Sequence, residues 1–236
     1  MFLTFKKWTA LYLLTLLLLF AGFAAILWQG SAVNASKNLV LEQGPVLVID
    51  PGHGGMDGGA MAADGTVEAQ INLAVSLRVE ELARFIGVET EMTRREDVSL
   101  HDASADTVRA KKASDLKNRT ALANAVPGGV VVSIHQNSLP DVPSVCGAQV
   151  FYSAAEGSQE LAEAVQSALN AALNPKPKEP KQAGSSVYLL QHAKSPTILV
   201  ECGFLSNPQE TVRLNTPAYQ TELALTILSA VLAHLR

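Results

Sequence analysis

Short apolar segments alternate with amphipathic helical segments from about residue 45 to the end of the chain, and this alternation most constrains the fold. The segments 46–50 (VLVID) and 130–135 (VVVSIH) are short, apolar and bounded by proline or glycine, which predicts buried strands. Helical spacing of apolar residues recurs in the segments 69–86, 115–126, 158–174 and 216–236. Strands that alternate with helices predict a three-layer α/β domain with a mixed or mostly parallel sheet.

Four further apolar segments are predicted to be strands: 88–93, 147–153, 186–191 and 197–203. The stretch 175–184 is rich in proline and lysine, which predicts an exposed loop. Ser158 and Thr216 are the predicted N-caps of the two helices that follow them. The chain has no internal repeat, so residues 45–236 are expected to form a single domain.

Residues 1–28 have a different character from the rest of the chain. No charged residue occurs in the 21 positions from 8 to 28, a run long enough to span the ~30 Å hydrocarbon core of a membrane as a helix. Lys6 and Lys7 before it predict that the rest of the chain lies outside the cytoplasm. A retained membrane anchor and a cleaved signal peptide are both consistent with this pattern. Residues 29–44 would be a polar linker in either case.

Charge and cysteine content exclude two classes of protein. Apart from Lys6 and Lys7, the chain carries 16 of its 18 basic residues against 22 acidic ones, and this acidic excess disfavours a nucleic-acid partner. Two cysteines in an exported chain do not make a disulfide scaffold. One bridge between Cys146 and Cys202 stays open, but Cys202 lies inside an apolar segment, so a buried free thiol is expected there.

Three ionisable residues lie at the carboxyl ends of predicted strands, where ligand sites form in such sheets. They are His53, His135 and Glu201. His53 stands in the glycine-rich stretch 51–60 (PGHGGMDGGA), where glycines permit a sharp turn around it. This stretch has neither the G-x-G-x-x-G spacing nor the G-K-[ST] ending of nucleotide-binding loops.

Two histidines and one carboxylate are a ligand set for zinc that leaves one coordination position open. Glu68, at the start of the helix predicted over 69–86, is the candidate third ligand. A carboxylate there also stabilises the helix N-terminus, so a purely structural role remains open for Glu68. A buried, hydrogen-bonded histidine is the corresponding alternative for His135.

Six motifs in order resemble those of the amidase-3 family, the zinc-dependent N-acetylmuramoyl-L-alanine amidases that hydrolyse peptidoglycan. They are IDPGHGGMDGGA, VEAQINLAV, MTR, DLKNRTALANA, SIHQNS and ILVECGFLSN, and the resemblance covers roughly residues 45–235. The segment VYLLQHAKSPTILVECGFLSNPQE is most similar to the CwlD-type, germination-specific branch that acts on spore cortex.

The resemblance implies one zinc ion held by His53, Glu68 and His135, with Glu201 as the catalytic carboxylate. It also implies a mixed six-stranded sheet flanked by helices. The reaction would be hydrolysis of the amide between the lactyl group of N-acetylmuramic acid and L-alanine. In the cortex branch this step precedes formation of muramic-δ-lactam by a partner deacetylase.

Four other residues are candidates for supporting roles. Arg94 and Arg119 match arginines of the family pattern and are expected to be structural or to support the ligands. Asp50 could accept the free ring N–H of a ligand histidine, an orienting role. Asn137 could line the substrate groove. Cys202 is adjacent to Glu201 in a strand and should point to the opposite face, which argues against a nucleophilic role.

The connection after His135 is short, because NSLPDVPSVCGAQVFY runs directly into the next predicted strand. Regulated division amidases carry a long insertion there that can place a helix over the zinc, so this form of autoinhibition is not expected. Activation by another protein remains open. The alternative function is another exported zinc hydrolase of the cell wall, a peptidase or a deacetylase, although no H-E-x-x-H motif is present. An inactive wall-binding module is disfavoured because all four key positions are filled.

Overall fold

The computed structural model describes residues 44–235. The strands are β1 (Leu47–Pro51), β2 (Thr90–Met92), β3 (Val130–Asn137), β4 (Gln149–Tyr152), β5 (Lys181–Gln182) and β6 (Thr197–Phe204). The helices are α1 (Glu68–Phe85), α2 (Val108–Asn124), α3 (Ser158–Ala172), α4 (Tyr188–His192), α5 (Pro208–Leu214) and α6 (Pro217–His234). The predicted anchor or signal segment and most of the linker lie outside the described residues. Within residues 44–235, no helix is both long and apolar enough to cross a membrane.

The six strands form one mixed sheet in the order β2-β1-β3-β6-β4-β5. The four strands β2, β1, β3 and β6 are mutually parallel. β4 runs antiparallel to β6, and β5 runs parallel to β4. The predicted mixed, mostly parallel six-stranded sheet is therefore confirmed, and the carboxyl ends of β1, β3 and β6 meet at one edge.

Helices cover both faces of this sheet. The larger core joins α1, α3 and α6 to strand residues such as Ile49, Val132 and Val200, all fully buried. A smaller core on the other face joins α2 and α4 to Val48 and Val131. Successive strand residues point to opposite faces, so the apolar runs have to be hydrophobic throughout, as the sequence shows.

Two of the predicted segments have a different secondary structure in the protein. The segment 186–191 is not a strand, because residues 188–192 form the short helix α4. Leu189 and Leu190 are consecutive and both buried, and such a short apolar run does not distinguish helix from strand by its periodicity. The sixth strand is instead β5, in the predicted exposed loop 175–184, where two exposed polar residues pair through their backbone with β4.

The helix ends follow local capping chemistry. Thr216 is the N-cap of α6, as predicted, and its hydroxyl accepts a hydrogen bond from the Tyr219 amide. Ser158 is not an N-cap: Gly157 occupies that position, and the Ser158 hydroxyl instead accepts from the Thr197 amide at 3.0 Å. The unpredicted helix α5 begins after Asn207, whose side chain accepts from the first free amides of the helix.

Candidate metal centre and active site

Three segments bring the predicted ligands together at the carboxyl edge of the sheet. His53 lies in the glycine-rich loop after β1, Glu68 is the first residue of α1, and His135 lies near the end of β3. One ligand atom from each residue lies within 4.8 Å of the others. Within residues 44–235, this is the group of histidine, cysteine and acidic side chains whose geometry could hold a metal ion.

The carboxylate of Glu68 lies at the middle of this group. Its Oε1 atom is 3.2 Å from Nε2 of His53 and 3.0 Å from Nδ1 of His135. The centroids of the two imidazole rings are 4.9 Å apart, and the rings are nearly perpendicular. Each ring directs one nitrogen toward the carboxylate of Glu68. Two imidazole nitrogens and one carboxylate oxygen fit zinc, and three protein ligands leave a position open.

Two backbone amides and the side chain of Asn72 hold Glu68 in place. Its Oε2 atom accepts from the Ala60 amide at 2.7 Å, and Oε1 accepts from Asn72 Nδ2 at 3.2 Å and from the Gln136 amide at 3.1 Å. Burial would raise the pKa of this carboxyl, but hydrogen bonds from His135 and His53 hold it well below its usual range. The supporting residues Asn72 and Gln136 were not predicted from the sequence, although they lie within the motifs VEAQINLAV and SIHQNS.

Asp57 orients His53. Its Oδ2 atom is 3.0 Å from Nδ1 of His53, and its Oδ1 atom is 2.8 Å from Nζ of Lys112. Burial of His53 opposes protonation, yet hydrogen bonds to Asp57 and Glu68 raise its pKa to about 9. With Nδ1 bound to Asp57, Nε2 of His53 is the nitrogen that faces Glu68. This role of Asp57 was not predicted from the sequence, although its spacing of four residues from His53 within one tight loop is a usable signal.

Glu201 lies beside the cluster on the neighbouring strand. β3 and β6 pair in register with His135 opposite Glu201, so the two side chains point to the same face of the sheet. Burial raises the pKa of Glu201 to about 7. Its Oε2 atom is buried and has no hydrogen-bond partner among residues 44–235. A carboxyl with these properties can exchange a proton near neutral pH.

Comparison with known proteins assigns the family. Residues 47–233 match the family model of N-acetylmuramoyl-L-alanine amidases, which is most of the chain. The chain belongs to this family. It is therefore an N-acetylmuramoyl-L-alanine amidase, and its substrate is peptidoglycan.

Individual relatives agree with the predicted germination-specific branch. The amidase is 34% identical over 192 residues to the germination-specific N-acetylmuramoyl-L-alanine amidase of Bacillus subtilis, covering 81% of this chain and 80% of that protein. The structure of the CwlD amidase from Clostridioides difficile in complex with the GerS lipoprotein is also similar. Its TM-score is 0.76 and its identity 34%, over 81% of this chain and 98% of that chain. The amidase AmiC2 of Nostoc punctiforme has a TM-score of 0.69 and 30% identity, over 81% of this chain and 97% of that chain.

The structure of the amidase gives Asp50 a different set of partners from the one expected. Its carboxylate accepts from the hydroxyls of Thr93 at 2.6 Å and Ser133 at 2.7 Å and pairs with Arg119 at 3.0 Å. It makes no hydrogen bond to a ligand histidine, because its side chain lies beneath the loop, between β3 and α2. Asp57 occupies the orienting position instead.

Both predicted arginines lie beneath the His53 loop and are buried, each 3% exposed. Arg94 donates to backbone carbonyls, and Arg119 donates to carbonyls and pairs with Asp50 and Asp115. Asn137 lies at the end of β3, where its side chain accepts from the amide of Ser138 at 2.8 Å. A substrate contact by Asn137 therefore stays a prediction.

Both cysteines, the other three histidines and the connection after β3 lie outside the cluster. The thiol of Cys202 is fully buried in the larger core, on the face opposite Glu201, and burial raises its pKa. Both cysteines are free. His101, His192 and His234 lie in a loop, in α4 and at the end of α6, outside the cluster. Residues 138–148, between β3 and β4, contain turns and no helix, in agreement with the short connection expected.

Proposed function

We propose that this amidase binds one zinc ion through His53, Glu68 and His135, and that Glu201 acts as its general acid and base. The observation that carries the proposal is the placement of Glu201 beside two imidazoles and a buried carboxylate. The pKa of Glu201 is about 7, and its Oε2 atom has no hydrogen-bond partner among residues 44–235. When bound, zinc would supply Lewis acidity toward the scissile carbonyl and toward a water molecule.

The side chains of this chain would divide the remaining work. Glu201 would accept a proton from the attacking water and donate it to the departing amine of L-alanine. Asp57 would keep the Nε2 atom of His53 turned toward the ion. Asn72, through its hydrogen bond to Oε1, would hold the carboxylate of Glu68 in a fixed orientation toward the ion. Glu201 need not lose a hydrogen bond before it reacts, because its Oε2 atom has no partner among the described residues.

The relatives and the composition of the N-terminal segment support a proposal for the biological setting. We propose that the amidase acts on spore cortex, where removal of the stem peptide prepares muramic acid for δ-lactam formation by a deacetylase. Residues 1–28 would anchor or export the chain, residues 29–44 would link it, and the catalytic domain would lie outside the cytoplasm. A membrane anchor would raise the concentration of the enzyme near its polymer.

A protein partner is part of this proposal. The Clostridioides difficile relative was solved in complex with the GerS lipoprotein. By analogy, a lipoprotein on the same side of the membrane would bind and regulate this amidase.

The test uses the full-length protein, purified in mild detergent without chelator. Bound metal is measured by mass spectrometry, and release of stem peptides from cortex muropeptides by liquid chromatography. We expect about one zinc per wild-type chain, by the three-ligand rule for catalytic sites. His135→Ala should lose the zinc. Glu201→Gln should keep it and lose activity by about 10²-fold or more.

The matched control is Glu160→Gln, which neutralises an exposed carboxylate on α3 and should behave as wild type. A Glu201→Gln protein that releases peptide at the wild-type rate would contradict the role assigned to Glu201. Zinc retained by His135→Ala would contradict the ligand set.

A further inference from the structure

The backbone at His53 adopts a conformation that a residue with a side chain rarely takes. Its φ angle is +59°, and within residues 44–235 it is the only non-glycine residue with positive φ. Such a conformation persists only where the surroundings hold it in place. The next two residues, Gly54 and Gly55, also have positive φ and offer no side chains to pack. Within the loop, His53 is held by the carboxylate of Asp57, and backbone hydrogen bonds join Gly54 to Asp57. Further support comes from outside the loop.

Two buried guanidinium groups provide that support. Arg94 donates from Nε to the carbonyl oxygen of Pro51 and from Nη2 to that of Gly52, both at 2.9 Å. Arg119 donates from Nη1 to the same Pro51 oxygen at 2.7 Å and from Nη2 to the carbonyl oxygen of His53. Three consecutive carbonyl groups, ending at the predicted zinc ligand, are thus bound from below.

Arg94 also connects the loop to the segment that carries Glu68. The Nη2 atom that binds the Gly52 carbonyl lies 3.0 Å from the carbonyl oxygen of Ala69, the residue after Glu68. One nitrogen therefore bonds to the backbone next to two of the three predicted ligands. Arg119 is itself held by the carboxylates of Asp50 and Asp115, at 3.0 Å and 2.6 Å.

We infer that Arg94 and Arg119 are positioning residues for the metal site, which hold His53 in its left-handed conformation so that its Nε2 atom faces Glu68. This inference rests on the proposed role of His53 as a ligand. The positioning role depends on the planar guanidinium group, whose N–H donors bind adjacent carbonyl groups at the same time. A lysine ammonium carries the same charge but lacks this fixed arrangement of donors. Conservative exchange to lysine should therefore weaken zinc binding without removing the charge.

The experiment compares Arg94→Lys and Arg119→Lys with wild type in the full-length protein. Zinc affinity is measured by competition with a chromophoric chelator, and hydrogen exchange of the metal-free protein is followed in the peptide that contains residues 51–57. We expect zinc to bind about 10–100-fold more weakly in each variant, the range observed when groups that support metal ligands are lost. We also expect faster exchange in that peptide before any zinc is added.

Arg95→Lys is the matched control, since Arg95 is adjacent in sequence but pairs with Glu80 at 2.7 Å, away from the loop. It should leave both measurements unchanged. Arg94 has no carboxylate among its hydrogen-bond partners, so its replacement leaves no buried carboxylate unpaired, and Arg94→Lys carries the test alone if Arg119→Lys does not fold.

Each outcome bears on the inference. Weaker zinc binding with faster exchange around His53, in a folded variant, supports it. Wild-type affinity in both variants overturns it even if their melting temperatures fall, because the arginines would then act on stability alone. A wild-type protein that binds no zinc overturns the ligand assignment itself, and the positioning role with it.

Discussion

Gly52 shows why single residues of the PGHGGMDGGA loop matter. A Cβ atom added at this position would lie 2.2 Å from Nε2 of His135. The same construction at Gly59 would bring Cβ within 2.4 Å of the Glu68 carboxylate. These glycines leave the space that the ligand side chains occupy. For Gly52 the requirement is purely steric, since its φ is not positive.

Gly52→Ala should therefore displace the imidazole of His135 and weaken zinc binding by about tenfold or more. Zinc affinity measured by chelator competition checks this prediction. Gly184→Ala is the control, because a Cβ atom there would meet nothing within 4 Å. Equal affinity in the two variants would show that the loop moves aside without cost.

Burial of Glu201 should also make stability depend on pH. In the metal-free protein its pKa is raised from 4.5 to about 7, so the folded state favours the protonated carboxyl. Its contribution to the free energy of unfolding is fully present below the unfolded-state pKa and is lost as the pH rises through the folded-state value. The folded protein is therefore less stable when Glu201 is ionised, which is the form that accepts a proton in catalysis, than when Glu201 is protonated.

Glu201→Gln removes this titration. At about pH 8 the metal-free variant should melt roughly 6–12 °C above wild type. A pKa raised from 4.5 to about 7 corresponds to about 3 kcal/mol, and each 1 kcal/mol shifts the melting temperature of a chain of this size by roughly 2–4 °C. Below about pH 4.5 the advantage should disappear, because Glu201 is then protonated in both the folded and the unfolded wild-type protein. Thermal unfolding monitored by circular dichroism in the presence of chelator gives both values. A difference that does not change with pH would contradict the raised pKa.

At the scale of elements, α6 organises the larger core by packing against both α1 and α3. Leu223 on this helix is fully buried, whereas Leu225, on the same helix, is 47% exposed. Leu223→Ala should lower the free energy of unfolding by about 2–5 kcal/mol through lost burial and a residual cavity. Leu225→Ala should change it by only about 0.5 kcal/mol. Urea unfolding of the two variants measures the difference, and similar losses would mean that α6 is not packed as described.

The short helix α5 connects two segments of the domain through one buried carboxylate. Its residue Glu210 is buried and accepts from the amide of Gly147 at 2.7 Å and from the amide of Phe204 at 2.8 Å. It thereby joins the end of β6, the strand that carries Glu201, to the connection that leads into β4. The side chain of Asn207 caps the start of α5, and Glu210 lies in the first turn of this helix.

At the scale of the whole molecule, the predicted ligands come from β3, from the start of α1 and from the loop after β1. A metal ion bound to all three would cross-link segments far apart in the chain. Zinc should therefore stabilise the folded protein by mass action, by about 2.7 kcal/mol at a free concentration 100 times the dissociation constant.

The expected result is a melting temperature about 5–10 °C higher with zinc than with chelator, measured by scanning calorimetry. His135→Ala should show no such increase, which separates binding at this site from general effects of the ion. A wild-type melting temperature that is the same with zinc and chelator would contradict a site built from these three segments.

The amino-acid sequence by itself determined the layered α/β architecture, because alternation of apolar strands with amphipathic helices has few other solutions. It also determined which residue types stand at the strand ends, and the six motifs sufficed to predict the family. The predicted strand over 186–191 failed because a short apolar run is compatible with either a strand or a helix, and packing of Leu189 and Leu190 decides between them.

Only the tertiary structure decided which groups meet. The register that sets Glu201 beside His135 depends on strand pairing between distant segments. The choice of Asp57 over Asp50 as partner of His53 depends on how the loop turns above β1. The carbonyl partners of Arg94 and Arg119 likewise became visible only in three dimensions. The residue type at each position is given by the sequence. Hydrogen-bond partners are set by the packing of distant elements, because a hydrogen bond forms only where donor and acceptor atoms lie about 3 Å apart.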